Sequence, residues 1–179
     1  RICLVGSEMC IRDSFKGWCE QRDMPRLILI VDGMTDPRNL GACLRSANAA
    51  GVDAVLLPKR RIAPLSSTVM RVAQGGCEEL TLVETGNIAR TLKWLREKGV
   101  WIIGADATGR SIWESSVDNR SLALVIGDEG KGLRRLTKEV CDEMVGIPMF
   151  GTVESLNVSV ATGVLLFELR RKTTHTASS

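Results

Sequence analysis

Three short stretches of the chain hold the residue types that chemistry needs. The first, DGMTDPRNLGACLRSA (residues 32–47), carries Asn39 and Arg45 after a turn at Asp36-Pro37. The second, GDEGKGL (127–133), crowds Gly127, Gly130 and Gly132 around the acids Asp128 and Glu129. The third, IPMFGTVESLNVSVATG (147–163), places Ser155 and Asn157 ahead of a helical run, with Ile147, Met149 and Leu156 as apolar neighbours. Each follows an apolar, strand-like run. In open α/β sheets, ligands collect in the loops at the carboxyl ends of strands.

The residue types narrow the chemistry. GDEGKGL is not a phosphate loop of the G-x-x-x-x-G-K-[ST] kind, because Lys131 is followed by Gly132. Its glycine order also reverses the G-x-G-x-x-G dinucleotide fingerprint, which argues against a nicotinamide-dependent oxidoreductase. Two carboxylates would repel a phosphate and would suit a ligand with hydroxyls, amines or positive charge. The lone histidine, His175, lies in the tail, which argues against Ser-His-Asp and Cys-His catalysis and against histidine metal sites. Taken singly, each loop remains equally compatible with a plain turn or a capped helix. Asn39 can cap one helix and Ser155 or Asn157 another, while Gly41 suggests close approach of a backbone or ligand.

The elements that must position these loops follow from periodicity. Residues 27–32, 53–58, 80–83, 100–105, 122–127 and 144–148 read as strands, several of them apolar on both faces, as in a covered parallel sheet. Helices are expected over 39–50, 66–74, 87–98, 134–141 and about 156–171, with Gly51 and Gly99 as stop signals. Strand–helix alternation predicts an α/β domain with a mostly parallel sheet and helices on both faces. Net charge is +3, with 44% hydrophobic and 25% charged residues, a globular balance that permits a nucleic-acid partner without demanding one. The six scattered cysteines form no C-x-x-C pair and fit idle thiols in a cytoplasmic protein, and no apolar run is long enough to span a bilayer. Lys59, Arg60 and Arg61 follow the second strand on the rim of the three loops, where with Lys131, Arg134 and Arg135 they could grip phosphates or simply be solvated.

Together, TDPRNLGACLRSANAAGVDAV, VIGDEGKGL and IPMFGTVESLNVSVATG resemble motifs 1, 2 and 3 of the SpoU (TrmH) branch of the SPOUT RNA methyltransferases, in order, spacing and context. The resemblance covers roughly residues 25–172 and is strongest to members that 2′-O-methylate a guanosine of 23S rRNA. It implies a C-terminal deep trefoil knot, an S-adenosyl-L-methionine cofactor, an RNA substrate, no metal and a homodimer. Position by position, it implies that Gly127, Ile147 and Leu156 contact the cofactor through their backbones, with Met149 nearby. Asn39, Arg45, Glu129, Ser155 and Asn157 would form the catalytic and substrate-orienting set. Within the family Arg45 is a suggested base, but a guanidinium is locked in its charged form, so orienting the hydroxyl and stabilising the oxyanion suit it better. QGGCEEL (74–80) departs from the usual pattern at Gly76 or Cys77. A tRNA methyltransferase, or a non-catalytic RNA-binding or ribosome-assembly module of the same fold, are the alternatives.

Members of this subgroup carry an RNA-binding domain ahead of a linker. Residues 1–24 are therefore expected to be an irregular leader and linker remnant, with RICLVGSEMCIRDS resembling translated sequencing adapter and so not native. Residues 173–179 are expected to be a polar tail.

Overall fold

Six short strands hydrogen-bond in parallel into one sheet: β1 (Leu27–Val31), β2 (Ala54–Pro58), β3 (Thr81–Thr85), β4 (Trp101–Ser111), β5 (Leu122–Ile126) and β6 (Glu143–Gly146). Their order is β3-β2-β1-β5-β4-β6. The computed structural model describes residues 15–19, 23–77, 79–117 and 120–175. Every residue of β1, β2 and β5 is buried, which a sheet covered on both faces requires.

The alternation of side chains divides each strand between two cores. Leu27, Leu29 and Val31 of β1 join Leu40, Leu44 and Ala47 of α1 (Pro37–Ala49), Val69 and Ala73 of α2 (Ser67–Ala73), and Leu165, Leu166 and Leu169 of α5 (Val158–His175). Ile28 and Ile30 face the other way, against Ile88, Leu92 and Leu95 of α3 (Ile88–Glu97). The result is three layers, with α4 (Arg135–Lys138) preceding β6. The chain runs outward from β1 through β2 and β3, then returns to lay β5, β4 and β6 on the opposite side. The seam between β1 and β5 is thus a switch point, where such sheets leave a crevice.

All six predicted strands and all five predicted helices are present. Three details differ. β4 runs on to Ser111 because it pairs with β6 across a register shift between Ala105 and Arg110. α5 continues to His175, so the tail expected from residue 173 is helical to 175, and 176–179 lie outside the described residues. Residues 15–19 form a helical turn with Phe15 and Cys19 buried and the Phe15 ring against Trp94, rather than part of an irregular leader. Phe15, Trp18 and Cys19 recur at the i, i+3, i+4 spacing of one helix face. The reading of residues 1–14 as non-native lies outside the described residues. Gly41 owes its lack of side chain to helix packing: a Cβ there would sit 2.8 Å from the Val69 carbonyl oxygen on α2.

Candidate active site

The cavity opens at the carboxyl ends of β5, β4 and β6. It measures about 590 Å³, within the range of small-molecule sites. Its floor is Ile126, Val145 and Leu165; its walls are the loop after β5 and the segment between β6 and α5.

The loop after β5 is folded back on itself. The Gly132 amide donates to the Asp128 carbonyl at 2.9 Å. A Cβ at Gly127 would lie 2.2 Å from the Gly132 carbonyl carbon and 2.4 Å from its oxygen, so only glycine fits there. Gly130 and Gly132 take φ of +92° and +63°, the left-handed region that favours glycine. The three glycines serve the closure of the loop first, and any ligand meets the backbone surface this closure creates. A buried carboxylate fixes the far end. Asp32, just past β1, accepts the Arg134 backbone amide at 3.0 Å and its Nε at 2.7 Å, with a further bond from Nη2. Arg134, expected to grip phosphate, is therefore engaged by Asp32, and Arg135 pairs with Glu139 at 2.6 Å.

Glu129, carried on this loop, is the centre of a polar network. Its Oε2 accepts from Asn39 Nδ2 at 2.7 Å, and its Oε1 accepts from Asn157 Nδ2 at 3.3 Å. Asn157 Nδ2 also donates to Asn39 Oδ1 at 3.1 Å. The orientation of the Asn157 amide is fixed because its Oδ1 accepts the Ser159 backbone amide and hydroxyl, at 2.9 and 2.6 Å. That makes Asn157 the cap of α5. Asn39 does not cap α1. Asp36 does so by accepting from the Arg38 amide at 2.7 Å, which leaves the Asn39 side chain free within the first turn.

Of the nine expected site residues, Gly127, Glu129, Ile147, Met149, Ser155, Leu156 and Asn157 line the cavity. Asn39 joins through its bond to Glu129. Arg45 is exposed and does not line the cavity; six residues past Asn39 on a 3.6-residue helix, it faces elsewhere.

Three participants escaped sequence reasoning. Asp106 and Lys138 line the cavity and are ion-paired at 2.5 Å. Lys138, together with the amide and hydroxyl of Thr108, holds the Asp106 carboxyl down to about 2. An acid at the carboxyl end of the fourth strand run was the available signal. Ser159, the donor to Asn157, gave none. Burial pushes the Cys43 thiol up to about 11 and the Cys141 thiol to about 12, so both stay protonated at neutral pH. Among the described residues no group of three or more His, Cys, Asp or Glu could hold a metal, and no helix is long and apolar enough to cross a membrane.

The chain as a whole has known counterparts. The profile of the SpoU rRNA Methylase family matches residues 26–167. The chain is 51% identical over 162 residues to the 23S rRNA (guanosine-2′-O-)-methyltransferase RlmB of Escherichia coli, covering 86% of this chain and 66% of that protein. It is 54% identical over 153 residues to the Vibrio cholerae enzyme of the same name, covering 85% and 61%. The chain thus spans slightly less than two thirds of the length of these relatives. Among solved structures it superposes on the SpoU methyltransferase AviRb from Streptomyces viridochromogenes in complex with AdoMet, with a TM-score of 0.73, 25% identity and coverage of 83% and 60%. An AdoMet-bound rRNA methyltransferase from Sinorhizobium meliloti gives a TM-score of 0.74 at 28% identity, covering 82% and 56%. The chain belongs to the SpoU rRNA methylase family.

Proposed function

We propose that this chain transfers the methyl group of S-adenosyl-L-methionine to a ribose 2′-hydroxyl of RNA, namely of a guanosine in 23S rRNA. The observation that carries the reading is the Asn39–Glu129–Asn157 network at the α1 side of a cavity that would hold the donor. The donor set fits: carboxylates of Asp106, Glu129 and Glu154 suit a ligand bearing a sulfonium and an ammonium, and Ile126, Ile147, Leu156 and Leu165 offer apolar surface to an adenine. Identity above 50% to two 23S rRNA guanosine methyltransferases supports the choice of substrate.

Bound S-adenosyl-L-methionine supplies an electrophilic methyl group on sulfur. The chain's own residues align the acceptor. Gly127, Ile147 and Leu156 offer backbone groups along the cavity wall, and Glu129, braced by two amides, keeps lone pairs for the incoming 2′-hydroxyl. Arg45, exposed outside the cavity of its own protomer, acts on the RNA side by orienting the hydroxyl or its neighbouring phosphate and stabilising the developing oxyanion. The same proposal includes the trefoil knot, supported by the way residues 127–132 and Ile147, Met149 and residues 154–158 wall one cavity. It includes a homodimer, supported by exposed Phe150, Val160 and Phe167 at 90%, 52% and 52%, and work in the cytoplasm, where ribosomal RNA is.

The test is methyl transfer from labelled cofactor to unmodified 23S rRNA and tRNA transcripts, with 2′-O-methyl mapping. Label confined to one 23S guanosine is expected. Label in tRNA only would overturn the substrate, and the absence of both transfer and calorimetric cofactor binding would overturn the reaction. Arg45→Ala retaining near-normal transfer at saturating RNA would remove that residue's role.

A further inference from the structure

A second arginine stands at the β1 end of the site and is held there by strained backbone. Arg61, in the loop after β2, has φ +62°, in the left-handed region that non-glycine residues rarely adopt. Its carbonyl accepts the Met34 amide at 2.8 Å, the Ala63 amide donates to the Met34 carbonyl at 2.7 Å, and Met34 bridges Ile62 in parallel. Lys59 is tied in turn to Thr85 at 3.1 Å. The loop after β2 is thus stitched to the residues that follow β1. A Cβ built on Gly33 would lie 3.6 Å from the Arg61 carbonyl oxygen and 3.9 Å from Asp128 Cβ. The backbone of Arg61 and the side chain preceding Glu129 therefore flank the same glycine.

The side chain is what this arrangement presents. Arg60 and Arg61 are exposed and Lys59 is half-buried; among the described residues no hydrogen bond or ion pair engages any of the three side chains. Of the other cations around the site, Lys131 and Arg45 are likewise exposed and unengaged among the described residues, whereas three are held by carboxylates. Arg134 is engaged by buried Asp32, Arg135 by Glu139 and Lys138 by Asp106. Three adjacent unpaired cations on a loop too firmly bonded to fold away suit a phosphate contact. Backbone strain that persists at one residue beside a site marks a position whose geometry is used.

We propose that Arg61 is a substrate-positioning residue: its guanidinium holds a phosphate of the RNA next to the acceptor ribose, with Arg60 and Lys59 contributing less specific charge. The inference rests on the proposed RNA 2′-O-methyl transfer. A purely structural Arg61 would make two predictions that this role does not. Glycine, which adopts φ +62° freely, would be as good or better, and loss of the charge would leave RNA binding untouched.

The experiment compares wild type with Arg61→Ala, Arg61→Lys and Arg61→Gly, and with Lys98→Ala as an exposed lysine at the opposite end of the sheet. Binding of an unmodified 23S rRNA transcript is followed against salt by filter retention, cofactor affinity by calorimetry and folding by thermal melting. Arg61→Ala and Arg61→Gly are expected to lower the slope of log affinity against log salt by about 0.7, the loss of one phosphate contact. They should raise KM for RNA at least fivefold and leave cofactor affinity unchanged. Arg61→Lys should recover the slope, and Arg61→Gly should melt no lower than wild type. Slopes and KM matching those of Lys98→Ala, or full RNA binding by Arg61→Gly, would overturn the proposal. Should wild type bind RNA but transfer no methyl group, the proposed reaction fails while the salt slopes still decide Arg61.

Discussion

Replacing Gly127 with alanine tests whether loop closure, rather than cofactor approach, dictates that glycine. The added Cβ would meet the Gly132 carbonyl carbon at 2.2 Å, its oxygen at 2.4 Å and the Leu133 nitrogen at 2.5 Å. Ordinary contact begins near 3.4 Å, so the peptide joining residues 132 and 133 must retreat by about 1 Å. All three atoms are backbone, and no side chain can swing aside to absorb the change. The 2.9 Å bond from the Gly132 amide to the Asp128 carbonyl would then stretch beyond hydrogen-bonding range. Overpacking of this kind costs about 1–3 kcal/mol. For a chain of this size that is a fall of roughly 2–12 °C in melting temperature. The displaced wall also carries Glu129, so cofactor affinity should fall at least tenfold, about 1.4 kcal/mol. Differential scanning calorimetry and titration with S-adenosyl-L-methionine read both quantities. Gly86→Ala is the control, since a Cβ there meets nothing within 4 Å. Wild-type melting and wild-type affinity in Gly127→Ala would refute the steric argument.

Other perturbations probe other parts of the site. Glu129→Gln removes the charge offered to the incoming 2′-hydroxyl and weakens the bonds from Asn39 and Asn157; a bond to a charged group is worth about 1.5–3 kcal/mol, so single-turnover methyl transfer should slow about ten- to hundredfold and the melting temperature should fall by several degrees. Phe167→Glu places a charge on the exposed apolar stripe of α5 and should convert a dimer to a monomer in light scattering; a wild-type chain that is already monomeric would remove the dimer. The Asp106 carboxyl is depressed from 3.8 to about 2, so its contribution is fully present above pH 4 and lost as pH falls toward 2. Asp106→Asn should accordingly flatten the fall in melting temperature across that window. Cys43, with its thiol near 11, should stay unalkylated in the native protein at pH 7.5 when peptides are read by mass spectrometry.

The sheet was legible because strands covered on both faces must be apolar throughout, as 27–31, 54–58 and 122–126 are. Helix positions followed from periodicity, but ends set by side-chain competition did not. Asp36 and Asn39 both suit a cap, and only the three-dimensional partner Glu129 explains why Asn39 yields that role. The polar extension of β4 past residue 105 lacks any alternation, since pairing with β6 rather than its own residues makes it a strand. Seven of the nine expected site residues line the cavity because their loops end neighbouring strands. Arg45 was harder to place, as a helix face is fixed by rotation about its axis. Asp106 left only the signal of an acid ending a strand run, and its pairing with Lys138 was invisible because it spans 32 positions.

The staple between Asp32 and Arg134 has a mechanical consequence. A loop closed on itself at Gly127 and Gly132 and tethered by a buried carboxylate at its far end cannot act as a hinged flap. It is a fixed jamb. Whatever adjustment the cavity makes as ligands come and go falls to the exposed residues 150–156 on the other side, which hold no strand or helix. Amide exchange should therefore be slow at the bonded Gly132 and Arg134 amides and fast along 150–156, leaving one rigid jamb and one yielding one around the same opening.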